Sequence, residues 1–159
     1  MGVRLSLLLI LCCSITFAQK HVTEGVQDAA VPFAIVETPP AYPGCDLSDT
    51  RNSKACTSKR IQRFFEKNFD LQKIKALGLS PGRYRTSMIF KITKEGKVTD
   101  IKANNYREVP EIEEEAVRVA SLLPEFKPGD QRGEIVSVMY GLPIVFDIEP
   151  ERKRQRKKG

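Results

Sequence analysis

A strand, turn, strand, helix and long strand in that order between Tyr84 and Ile148 constrain this chain more than any other feature. Met88, Phe90 and Ile92 share one face at the two-residue period of a half-buried strand. Lys94-Glu95-Gly96-Lys97 supplies the turn, with Gly96 able to take positive φ, and Val98 to Ala103 runs back. Pro110 suits the first turn of a helix in which Ile112, Ala116, Val119, Ala120 and Leu123 form one stripe, closed by Pro124. Phe126 to Gly133 reads as a loop, and Glu134 to Ile148 as a final strand. In that strand Val136, Val138, Tyr140, Leu142, Ile144, Phe146 and Ile148 lie on one face. Gly141 and Pro143 predict a kink or bulge there, with Pro143 removing a ladder donor.

The 159 residues have room for one ordinary domain with short flanking segments. Arg4, the apolar run Leu5 to Cys13 and the small residues of Thr16-Phe17-Ala18 read as a signal peptide over residues 1–18, cleaved before Gln19. A spanning helix needs roughly 20 apolar residues, more than this run offers. Lipoprotein processing at Cys12 or Cys13 and a retained membrane anchor are the alternatives. Residues 19–30 read as a flexible leader, 31–149 as the domain and 150–159 as a basic, disordered tail.

Charge is unevenly placed. The net +6 comes from Arg4 and from Arg152, Lys153, Arg154, Arg156, Lys157 and Lys158, less Glu151, whereas 19–149 is neutral. The tail is a solvated end, or a weak tether to anionic lipid or polymer in the envelope. Neither use calls for nucleic acid. Membrane contact is expected only through this tail or an uncleaved signal.

Cys45 and Cys56 survive removal of the signal, and an even pair in an exported chain reads as a structural disulfide. His21, the only histidine, lies in the leader, so no metal site is expected. With no Gly-rich phosphate loop and no Cys-x-x-Cys pair, the residues predict no catalytic centre and no cofactor. Glu111, Glu113, Glu114 and Glu115 read as a solvated first helical turn matched to the helix dipole.

Val31 to Val36 reads as an edge strand or an extended segment, and the prolines that follow keep the chain out of helix and central strand up to Cys45. Ser58 is the expected cap of a first helix whose stripe is Ile61, Phe64, Phe65 and Phe69. A short helical turn is expected over Leu71 to Leu77, stopped by Gly78 and Pro81-Gly82.

Taken in order, several of these pieces resemble the TonB C-terminal domain family, as found in small, cysteine-containing exported proteins of Bacteroidetes type. They are Tyr42-Pro43-Gly44-Cys45, Cys56, Gly82-Arg83, Lys94-Glu95-Gly96-Lys97-Val98, Leu123-Pro124-Glu125-Phe126-Lys127-Pro128-Gly129 and Leu142-Pro143-Ile144-Val145-Phe146. The resemblance spans about Val31 to Ile148. It implies an α+β, two-layer fold: a small antiparallel sheet of about three strands with two helices. It also implies a periplasmic, energy-transducer-type binding module that grips the TonB-box peptide of TonB-dependent outer-membrane receptors by adding it as a strand. By position, the edge strand is Ile144, Val145, Phe146, Asp147 and Ile148. The alternative uses of that strand are a last core strand or a homodimer edge. A dozen residues of leader reach at most roughly 40–45 Å, so a cleaved chain would not transmit work from the inner membrane. It would then be a stand-alone envelope interaction protein; with its signal retained it would be a minimal anchored transducer.

Overall fold

The computed structural model describes residues 29–45 and 48–150. The expected signal, most of the leader and the cationic tail (Arg152, Lys153, Arg154, Arg156, Lys157 and Lys158) lie outside the described residues.

The elements are β1 (Val31–Pro32), α1 (Thr50–Asn68), α2 (Leu71–Lys75), β2 (Gly82–Ile92), β3 (Val98–Asn105), α3 (Pro110–Ala120), β4 (Gly129–Gln131), β5 (Glu134–Val136) and β6 (Val138–Ile148). They make an α+β fold whose main sheet has the order β1-β6-β2-β3, with β4 and β5 as a separate ribbon. The expected antiparallel trio is β3, β2 and β6. A fourth strand, β1, joins β6 in parallel, and among the described residues there are three helices where the resemblance implied two. Tyr84, Thr86, Met88, Phe90 and Ile92 of β2 are buried on one face, which packs against α1 and α3 through Ile61, Phe65, Ala116 and Val119.

Gly96 takes φ +83° in the β2–β3 turn, as expected. A Cβ there would lie 1.9 Å from the Phe126 carbonyl oxygen, while the Phe126 N–H donates to the Gly96 carbonyl at 2.9 Å. Glycine is therefore required twice, by conformation and by space. Farther along, β3 carries one extra residue between the pairs Ile89–Lys102 and Lys91–Thr99, and Asp100 there has φ +50°. The bulge thus lies in β3, and β6 pairs with β2 in unbroken register from Ile148 to Val138. That corrects the kink expected at Gly141 and Pro143.

Three further expectations change. α1 starts eight residues before Ser58, because the Asp49 carboxylate accepts from the Arg51 and Asn52 amides, so Cys56 lies inside the helix. Its inward stripe is Ser53, Thr57, Ile61 and Phe65, and the polar first half hides the helix from an apolar-period search. The loop after Phe126 contains β4, which pairs with β5 across a turn at Arg132 (φ 57°) and Gly133 (φ 81°). The last strand is accordingly two: it breaks at Ser137, and only β6 enters the main sheet.

Cys45 and Cys56 form the expected disulfide, tying the proline-rich segment to α1. Closing a loop of this length contributes about 2–3 kcal/mol.

A candidate peptide-binding edge

Hydrogen-bond direction alternates along a strand, and three contacts fix the phase in this sheet. Ser137 and Met139 carbonyls accept from the Val31 and Phe33 amides of the β1 segment, so odd-numbered β6 residues point away from β2. The Tyr106 N–H donates to the Arg85 carbonyl, so odd-numbered β2 residues face β3 and even-numbered ones face β6. With the register unbroken, Tyr140, Leu142, Ile144, Phe146 and Ile148 bond to β2, while Gly141, Pro143, Val145 and Asp147 direct their backbones outward. β1 pairs only with Val138 and Met139. After Phe33 the chain turns off, Ile35 and Val36 amides both donating to the Pro32 carbonyl. Among the described residues no strand covers β6 beyond Met139 on that side.

Beside this edge runs an apolar groove of about 270 Å³ between Gln62, Phe65, Glu66, Phe69 and Leu71 on one wall and Leu142 to Phe146 on the other. Phe69 and Phe146 meet with ring centroids 5.7 Å apart, and Phe146 stacks on Tyr84 at the same distance. The Arg107 guanidinium covers the Tyr84 ring at 4.4 Å. Val145, on the opposite face of the sheet, is 52% exposed.

Phe69 sits in the short connection between α1 and α2, and an ion pair between a buried carboxylate and a half-exposed guanidinium holds that connection. Glu115 of α3, 2% exposed, accepts from the Asp70 amide at 2.8 Å and from the Arg118 guanidinium at 2.6 and 2.9 Å. Arg118 also donates to the Asn68 carbonyl at 2.7 Å, satisfying a group that the end of α1 leaves orphaned. Hydrogen bonding from Arg118 holds the Glu115 carboxyl below the ordinary range against the opposing effect of burial, helped by the Asp70 amide and nearby positive charge. Glu115 is thus no part of a solvated turn, correcting the reading of the glutamate cluster. Glu113 is engaged too, accepting from the Asn105 amide at 2.6 Å.

The five residues expected at the edge divide by parity. Ile144 and Phe146 face the helices and line the groove, and Ile148 is buried. Val145 and Asp147 carry the outward backbone groups. Asp147 also pairs with Arg83 across the ladder at 3.0 and 3.3 Å, which lowers its pKa and raises that of Arg83. The residues that sequence reasoning passed over are Phe69, assigned only to the core, and Pro143, read as a kink. Its odd position in a strand whose even positions are apolar was a usable signal.

Among the described residues no group of three His, Cys, Asp or Glu side chains is placed to hold a metal ion. No helix there is long and apolar enough to cross a membrane. Residues 85–148, the span from within β2 to the end of β6, match the family model described as the Gram-negative bacterial TonB protein C-terminal. No curated protein matches the chain at a significant level.

Proposed function

We propose that this chain is a periplasmic module that binds an extended receptor peptide on the outer edge of β6, a reading supported by the match of residues 85–148 to the TonB C-terminal family, whose members serve envelope transport and interact with outer-membrane receptors. The observation that carries this is the edge from Gly141 to Asp147, which no strand among the described residues covers, beside an apolar groove. An added strand would bond to the outward groups of Gly141, Val145 and Asp147 and to the Pro143 carbonyl. Its alternate side chains would enter the groove between Phe69 and Ile144, which favours apolar residues at every second position of the peptide.

Val145→Pro separates this use from a purely structural role. It deletes an N–H on the outer edge and leaves the β2 ladder intact. Titration of labelled protein with a TonB-box peptide should shift amides at Gly141, Val145 and Asp147, and the substitution should weaken binding about fivefold, the value of one backbone hydrogen bond. Absence of any shift along β6 at millimolar peptide rejects the proposal.

A further inference from the structure

An open strand edge that accepts a foreign peptide also accepts its own copy, and most edges carry some device against this. We infer that Pro143 is the specificity residue that makes the β6 edge favour a foreign strand over a second copy of this chain. The inference rests on the peptide-binding reading of the edge.

Pro143 lies opposite Ser87, in a pair whose backbones point away from each other, so its missing N–H costs the β2 ladder nothing. The gap falls wholly on the outer side, between the outward groups of Gly141 and Val145. A visiting peptide meets this gap once. Two copies of β6 paired antiparallel about a two-fold axis meet it twice. Centred at Ile144, such a pairing sets Pro143 against Val145 of the second copy at both ends. Centred at Pro143, it sets the two prolines face to face; centred at Val145, it sets each against Asp147. Only a pairing shifted to Val145 and Asp147 avoids both gaps, and it leaves most of the edge unused. One missing donor is worth a factor of about five in an equilibrium, and two are worth about thirty. The discrimination is therefore built into the symmetry of the competing complex, with no repulsive side chain needed.

The test replaces Pro143 by valine, which restores the N–H and suits an extended strand. Self-association is followed by sedimentation and by amide shifts on β6 up to millimolar concentration, and TonB-box peptide binding is measured at concentrations where the protein is monomeric. Pro143→Val should tighten self-association about thirtyfold and peptide binding about fivefold, the first being the square of the second. Adding Val145→Pro should dissolve the new dimer, which shows that it uses this edge. The inference is overturned if Pro143→Val does not associate at millimolar concentration, or if its dimer survives Val145→Pro. It is equally overturned if the unaltered chain already pairs through β6. The two proposals fail separately. A dimerising Pro143→Val in a chain that never binds peptide rejects the functional reading and leaves Pro143 only as a guard against self-pairing, whereas a peptide-binding chain whose Pro143→Val stays monomeric rejects only this inference.

Discussion

β6 has two unlike sides. Toward β2 it is bonded along its whole length, Val138 to Ile148, in one register; toward β1 it is bonded at two residues and, among the described residues, then left bare. The same strand completes the core and turns one edge outward because two alternations of period two run along it in lockstep. Side-chain direction sends Tyr140, Leu142, Ile144 and Phe146 toward the helices, and backbone direction sends Gly141, Val145 and Asp147 toward solvent. A substitution can thus be aimed at one side only. Changes on the closed side should alter stability, and changes on the bare side should alter binding.

The largest effect should come from Gly96→Ala, which attacks the closed side at the β2–β3 turn. The new methyl group meets the Phe126 carbonyl at a φ that favours glycine. Urea unfolding should register a loss of about 3 kcal/mol or more. A near-neutral result would mean that the turn yields easily and that the closed side is less rigid than its register implies. Next in size is removal of the bridge by Cys45→Ala with Cys56→Ala. Stability should fall by about 2–3 kcal/mol, while peptide-induced shifts on β6 stay as they were, since the bridge lies at the far half of α1 from the groove.

Much of the closed side was legible in the residues alone. Alternation in β2, Gly96 in its turn and the stripe of α3 each follow from local chemistry that needs no partner. The first half of α1 was not, because its inward residues, Ser53 and Thr57, are polar, and Thr57 finds its use in the distant proline-rich segment, donating to the Pro40 carbonyl at 3.3 Å and accepting from the Tyr42 amide at 3.1 Å. The bare side was legible as a family position, Ile144 to Ile148, but not as geometry. Which backbone groups face outward depends on the phase of the β2 pairing, and that phase is set by residues some sixty positions away. Pro143 looked like a defect for this reason. Glu115 looked solvated because the Asp70 amide reaches it, and the Asn68 carbonyl reaches Arg118 beside it, only through the packing of α3 on the α1–α2 connection.

Glu115→Gln should move both sides at once. The carboxylate braces the connection that carries Phe69, so its loss should cost about 2 kcal/mol of stability at neutral pH and loosen one wall of the groove. The direction with pH follows from the lowered pKa. In the unfolded chain the carboxyl binds a proton at a higher pH than in the folded one. Its contribution is therefore complete above the ordinary carboxylate range and fades as pH falls through the lower folded value. Urea unfolding at a series of acid pH values should show the parent losing stability faster than the variant until the two converge. Parallel curves would assign the acid sensitivity to other carboxylates.

The smallest effect should come from Asp147→Asn. Asp147 and Arg83 face each other across β2 and β6 with both side chains more than half exposed, and solvent and salt screen such a pair. Their mutual shifts in pKa report a hydrogen bond formed in water, where breaking it costs little. The urea midpoint should not move measurably. Peptide binding should also hold, because the outward N–H and C=O of residue 147 belong to the backbone and survive the substitution. A loss of affinity with unchanged stability would mean that the visiting strand reads the Asp147 side chain as well, and the bare side would then carry a charge preference in addition to its hydrogen-bond template.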